Sequence, residues 1–285
     1  MTLGFSNTKG IAAIMVARMV EQGLLNYKDP VAKYWPEFAQ NDKGNITVEM
    51  LLSHQAGLVS LDEPIGLFDI TANPEKVERS LSVQKTAWPA GSAHGYHSLT
   101  YGLYVDTLIP KIDPRKKFAT DPNSLVATGA KAVKEFAQGS SLLLNNPYYT
   151  EHVLSCCYGT GTARGFAKVY GILSNSGVDE NNQRLLSEKA IKILATPLVS
   201  GEDQTLGVET KFGPGTGFKE NPRGELIFGH SGNGGQVAMA DLKNSIGVAY
   251  LTNYLSMYAF GDDPRYVDLE NELYKSLDSY KTRAS

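Results

Sequence analysis

From Ile11 to Val20 the chain reads Ile-Ala-Ala-Ile-Met-Val-Ala-Arg-Met-Val, with Arg18 the only charge. A bilayer span needs about 20 such residues, so this run is a core helix. Gly23 supplies a C-terminal stop, and the expected helix covers Asn7 to Gln22. A helix that is apolar nearly all round must be covered from every side. The remaining chain therefore has to be built around it, and at 285 residues with 42% hydrophobic content it is long enough to do so. That length suits one large domain or two interleaved ones.

The mouth of this helix carries Ser6-Asn7-Thr8-Lys9. Residues at i and i+3 share a helix face, so the hydroxyl and the amine can meet. Burial disfavours an ammonium, and a neutral amine can take the serine proton. Free backbone N–H groups at the helix start add partial positive charge where an acyl oxyanion would form. The bland alternative makes Ser6 an N-cap with Lys9 solvated. A second Ser-x-x-Lys, Ser82 to Lys85, runs into Thr86-Ala87-Trp88-Pro89-Ala90-Gly91, which cannot continue a helix.

Along the chain, short helices are expected at Val31–Tyr34 and after Thr47, an N-cap for Val48–Ser53. Residues 58 to 95 should be loops with one or two short helices. Further helices are expected from Leu99 to Leu108, where Pro110 begins a run of breaks, and at Val126–Phe136, Thr162–Leu173 and Leu186–Leu194. After residue 205 the pattern changes to short strands: Leu206–Val208, Leu226–His230, Gln236–Asp241 and Ile246–Thr252. A terminal amphipathic helix, Val267–Tyr280, should place Leu269, Leu273 and Leu277 on its buried stripe.

Two further stretches carry chemistry. Pro89 to Ser98 is a Pro/Gly loop delivering Tyr96-His97-Ser98 just before a helix, and a phenol beside a lysine can shuttle protons. The tripeptide also recurs as Tyr254-Leu255-Ser256, so by itself it is weak. Phe228 to Gly235 is glycine-rich around His230-Ser231-Gly232-Asn233, where a substrate can approach a strand edge. Its bland reading is a hairpin turn with a surface histidine. His54, in Leu51–Leu58, reads as a structural hydrogen-bonding histidine.

Taken in order, these motifs resemble the serine β-lactamase-like family, which includes class C β-lactamases, penicillin-binding proteins, D-aminopeptidases and β-lactamase-like carboxylesterases. Ser6 to Lys9 matches its Ser-x-x-Lys motif, Tyr96 to Ser98 its Tyr-x-Asn/Ser motif, and His230 to Gly232 its third motif. Leu51–Leu58 and Gly161–Arg164 resemble linking segments. The resemblance implies an α/β (α+β) fold: an antiparallel sheet flanked by helices, a mostly helical domain, and an active site between them. It divides the chain into a helical region at 1–200 and a sheet with its C-terminal helix at 201–285. Ser6, Lys9 and Tyr96 become catalytic, and Ser98, His230, Ser231, Gly232 and Asn233 bind substrate and oxyanion.

The implied function is serine acyl hydrolysis through an acyl-enzyme on Ser6, with a small-molecule ester or amide as substrate and no cofactor or metal. Histidine in place of the third-motif lysine, and serine at Ser98 in place of asparagine, favour an esterase- or peptidase-like member over a true β-lactamase or D-Ala carboxypeptidase. Protonation of His230 below about pH 6.5 is expected to restore a cation there. With the nucleophile at residue 6, the chain reads as truncated, with sheet strands missing and an open edge that favours a homo-oligomer. A non-catalytic scaffold is the alternative from another class. An α/β-hydrolase using Ser231 fails because all five histidines precede it. His94-x-x-His97 is a poor zinc site. A net charge of −3 gives no argument for nucleic acid, and no apolar run approaches a membrane span. Adjacent Cys156 and Cys157 give no disulfide framework, which points to the cytoplasm or another reducing compartment.

Overall fold

The computed structural model describes residues 2–113, 154–258 and 260–284, and the expected helix at Val126–Phe136 lies outside them. The apolar run forms α1, Asn7–Glu21, and Gly23 follows in the left-handed region at φ 71°. Helices α2 (Val48–Leu52), α3 (Leu67–Ala72), α4 (Pro74–Val83) and α5 (Thr100–Ile112) come next. After the gap come α6 (Ala163–Ser174), α7 (Glu188–Leu194) and the terminal α8 (Pro264–Ala284). Thr47 caps α2 as expected, and Thr162 and Ser187 cap α6 and α7, each side-chain oxygen accepting a backbone N–H three residues on. Among the described residues no helix is long and apolar enough to cross a membrane.

Strands β1 (Thr2–Leu3) and β2 (Thr160–Gly161) form a small antiparallel pair. The main sheet is an antiparallel meander in chain order: β3 (Val199–Glu202), β4 (Glu209–Phe212), β5 (Gly217–Glu220), β6 (Leu226–Gly232), β7 (Gln236–Asp241) and β8 (Ile246–Tyr250). Every residue of β7 is buried. Its alternation shows why: Ala238 and Ala240 join the cluster containing α1, α6 and α7, whereas Val237 and Met239 join Tyr266 of α8. Both sheet faces are covered, so a strand in the middle has no solvated side.

The all-round apolarity of α1 has the same origin. Ala13, Ile14 and Ala17 pack toward the sheet, while Val16 and Met19 enter the helical core with Trp35, Phe38 and Tyr104. Gly10 lets the helix approach Tyr170 of α6 closely, since a Cβ there would lie 2.1 Å from the Tyr170 hydroxyl.

Three local expectations need correction. Residues 206–208 form no strand, and β3 to β5 supply pairing the sequence reading did not place. Pro110 lies inside α5, which continues to Ile112. A proline this close to a helix end removes one hydrogen bond where few turns remain to be disrupted. Finally, Leu269 is 60% exposed, and the buried stripe of α8 is Tyr266, Glu270 and Tyr274.

Candidate active site

Phe5 adopts φ 46°, a left-handed conformation that costs a non-glycine residue about 1–3 kcal/mol. Its carbonyl accepts from Thr8 twice, from the backbone N–H at 2.9 Å and from the hydroxyl at 2.6 Å. The Thr8 hydroxyl in turn accepts the Gly159 N–H at 2.9 Å, fixing the turn to the β1–β2 pair. Ser6 follows in helical conformation and its side chain makes no capping bond. The bland reading of this tetrad therefore fails at both ends, because Lys9 is wholly buried.

Lys9 Nζ lies 3.2 Å from Ser6 Oγ and donates to the carbonyls of Ser98, at 2.7 Å, and Cys156, at 3.1 Å. No carboxylate among the described residues forms an ion pair with it. The Tyr96 ring sits over the amine, 4.8 Å from centroid to Nζ. An amine carrying two protons would spend both on these carbonyls and turn its lone pair toward the serine hydroxyl.

Tyr96 is held from several directions. It stacks on Phe212 at 5.9 Å, meets His54 edge-on at 4.9 Å, and its N–H donates to Asp203 Oδ1 at 3.0 Å. The same oxygen accepts the N–H groups of Thr205 and Leu206, both at 2.9 Å. Asp203, fully buried, thus ties the tyrosine to the Thr205–Leu206 loop. It was not foreseen, because a carboxylate serving backbone N–H groups leaves no pattern of residue types. The Cys156 carbonyl was invisible for the same reason.

A cavity of about 290 Å³ opens over Ser6. Tyr96, Ser98, Thr205, Leu206, Ser231, Gly232 and Asn233 are among the residues that line it. Ser6, Lys9, Tyr96, Ser98, Ser231, Gly232 and Asn233 therefore converge, and no charged side chain lines the cavity among the described residues. A Cβ at Gly232 would lie 2.5 Å from the Gly4 carbonyl oxygen and 3.2 Å from Phe5 Cβ, so only glycine lets the end of β6 meet the Ser6 turn. The other Ser-x-x-Lys is elsewhere: Ser82 lies in the last turn of α4, and Lys85 borders a separate groove. Tyr254, of the chance tripeptide, is 69% exposed.

His230 differs from expectation. It was expected to bind substrate, but its side chain is buried and is not part of the cavity wall, and burial also rules out the bland surface reading. Its Nδ1 lies 2.6 Å from the Ser231 carbonyl, so Nδ1 carries the proton, and Nε2 is buried without a partner. Burial pushes its pKa down to about 3. The expected cation near pH 6.5 does not form. His97 is similarly fixed: Nε2 accepts the Leu58 N–H at 2.9 Å and Nδ1 donates to the Gly95 carbonyl at 2.7 Å. Burial holds its pKa down at about 4. His54 Nδ1 accepts the His97 N–H at 3.1 Å, the structural role expected of it. His94 Nε2 lies 2.9 Å from the Thr210 hydroxyl.

Comparison with known proteins follows the same lines. The family model described as Beta-lactamase matches residues 2–271. Esterase/beta-lactamase LipL of Mycobacterium tuberculosis is 25% identical over 304 residues, spanning 88% of this chain and 68% of that protein. Among solved structures, a family VIII carboxylesterase is 27% identical with a TM-score of 0.81, covering 95% of this chain and 83% of that one. A penicillin-binding protein homologue from Caulobacter crescentus is 28% identical with a TM-score of 0.79, covering 96% and 83%. EstA from Arthrobacter nitroguajacolicus Rue61a is 26% identical with a TM-score of 0.78, covering 98% and 85%.

Proposed function

The chain belongs to the beta-lactamase family, and from that premise we propose that it is a serine acyl hydrolase of the esterase type with Ser6 as nucleophile. The observation that carries this reading is the wholly buried Lys9, 3.2 Å from Ser6 Oγ and otherwise held by two backbone carbonyls. Ser6 attacks the ester carbonyl as its proton passes to Lys9, and the carbonyl oxygen becomes an oxyanion facing the backbone N–H groups of Ser6 and Asn233. The carbon–oxygen bond to the alcohol then breaks, and the departing alkoxide takes a proton from the Lys9–Tyr96 pair. Water enters, gives a proton back to that pair, and attacks the acyl-enzyme. As the acid departs, the pair returns that proton to Ser6 Oγ, which restores the hydroxyl and the free pair.

Neutral esters fit this cavity better than carboxylate-bearing β-lactams. No cation lines it among the described residues, and His230 stays neutral across the physiological range. The name of the family VIII carboxylesterase points the same way, while LipL is named both an esterase and a beta-lactamase. The test is hydrolysis of p-nitrophenyl acetate together with mass addition by a fluorophosphonate, in the parent and in Ser6→Ala. Both should vanish in the variant, and labelling that persists there overturns the assignment of Ser6.

A further inference from the structure

Cys156 and Cys157 follow one another in the chain and both are unbridged. In an extended segment neighbouring side chains would point to opposite faces. Here a turn sets the two sulfurs side by side, 3.2 Å apart and sharing a hydrogen bond. The Leu154 carbonyl closes that turn by accepting the N–H groups of Cys157 and Tyr158, at 3.0 and 3.2 Å. Asp106 of α5 anchors it, accepting the Ser155 N–H at 3.1 Å and the Ser155 hydroxyl as well.

The two thiols differ in surroundings. Cys156 is wholly buried against α5, where a Cβ at Gly102 would lie 2.8 Å from its Sγ. Cys157 keeps 7% of its surface exposed and is among the residues lining the cavity over Ser6. The peptide unit between them belongs to the catalytic apparatus. Its carbonyl, that of Cys156, accepts from Lys9 Nζ at 3.1 Å and is one of the two carbonyls that hold the amine beside Ser6.

We propose that Cys156 and Cys157 form a site of reversible oxidation, where a small hydroperoxide entering the catalytic cavity converts the two thiols to a disulfide and switches hydrolysis off. The loss of hydrolysis rests on the function proposed above, whereas formation of the bond does not. The Cys157 sulfur takes the terminal oxygen of the peroxide, its proton passes to the departing alkoxide, and a sulfenic acid results. The Cys156 sulfur then attacks that sulfur, and its proton leaves with the hydroxyl as water. Two electrons pass from the thiols to the peroxide, whose O–O bond breaks as the S–S bond forms.

Consecutive Cα atoms stand about 3.8 Å apart, closer than the roughly 4.4–6.8 Å usual for a bridge. The bond is therefore strained and easily reduced, which suits a bond made and broken in response to peroxide and not a structural one. Bringing the sulfurs to about 2 Å closes a small ring around the joining peptide unit. Its carbonyl then turns away from Lys9, and the amine loses one of the two acceptors that aim it at Ser6.

The experiment treats the reduced protein with hydrogen peroxide and reads two quantities. One is the mass of the proteolytic peptide carrying both cysteines, and the other is kcat/KM for p-nitrophenyl acetate before and after treatment. Cys157→Ala and Cys157→Ser are treated in parallel, each compared with its own untreated preparation, so partial folding of a variant does not enter the ratio. In the parent, the peptide should become lighter by two hydrogens and kcat/KM should fall by about tenfold or more, with dithiothreitol reversing both. In the variants the treated-to-untreated ratio should stay near one. Thiols that survive peroxide, a bond that forms without changing the rate, or an equal loss of rate in both variants overturns the proposal and leaves the esterase reading intact. A parent that cleaves no ester overturns that reading instead, and the peptide mass then decides by itself whether the pair is oxidised.

Discussion

Three neutral histidines govern how single residues in this molecule respond to pH. His54, His97 and His230 all have native-state pKa values below the ordinary histidine value, in each case chiefly through burial. Below about pH 6.5 the unfolded chain therefore binds protons that the folded chain refuses. Their contribution is complete above that pH and falls as pH drops, by about 1.4 kcal/mol per unit for each histidine. Asp106 works in the opposite direction. Burial raises it to about 6 despite two hydrogen bonds from Ser155, so between about pH 4 and 6 the folded state holds the extra proton. One carboxyl offsets only part of three histidines, and Tm should be lower at pH 5 than at pH 7. Selectivity should not follow. With His230 titrating near 3, the ratio of kcat/KM for a neutral ester to that for a carboxylated analogue should stay flat from pH 5 to 8. A ratio that shifts toward the carboxylated substrate as pH falls would show that His230 takes up a proton in that range.

At the scale of elements, legibility followed how each element is buried. Helix α1 could be read from Ile11–Val20 because a helix between two cores must be apolar on both sides. Strands β6 and β7 could be read because both of their faces are covered. Strands β3, Val199-Ser200-Gly201-Glu202, and β5, Gly217-Phe218-Lys219-Glu220, have no buried residue between them and carry no apolar alternation to detect. Helix α8 was placed correctly but turned wrongly, because its buried face is polar at the tips. The Tyr266 hydroxyl donates to Glu270 at 2.6 Å, Lys219 pairs with Glu270 at 2.6 Å, and the Tyr274 hydroxyl donates to Asp241 at 2.5 Å. Rings supply the apolar contact while their hydroxyls find partners, which a count of leucines cannot register. Stability should follow the observed stripe. Leu269→Glu should change unfolding free energy by no more than about 0.5 kcal/mol. Glu270→Ala strands Lys219 and should cost about 3 kcal/mol. Urea midpoints of the two variants decide the matter, and a larger loss at Leu269 would restore the leucine stripe.

The site belongs to no single element, and at the scale of the whole molecule its geometry depends on how the layers meet. Ser6, Lys9, Tyr96 and the Ser231–Asn233 segment were legible because their residue types recur in a recognisable order. What holds them in register was not, since the Asp203 carboxylate, the Ser98 and Cys156 carbonyls and the Phe5 turn act through the backbone. One tight junction is at Gly232, where a Cβ would stand 2.5 Å from the Gly4 carbonyl oxygen and 2.9 Å from Gln236 Cβ. Neither neighbour is the end of a flexible side chain, so Gly232→Ala must move the Ser6 turn away from β6. Such overpacking costs about 1–3 kcal/mol, which a protein of this size can absorb and stay folded. Catalysis is less tolerant. If the Ser6 and Asn233 N–H groups jointly hold the oxyanion, a displacement of about 1 Å between them should lower kcat by about 100-fold. Gly44→Ala is the matched control, because a Cβ there meets nothing closer than Ala39 Cβ at 3.9 Å, and its kcat should equal the parent's. Measuring kcat for p-nitrophenyl acetate alongside Tm in both variants separates the effects. A Gly232→Ala protein that is folded and as active as the parent would show that the end of β6 does not help to hold the oxyanion.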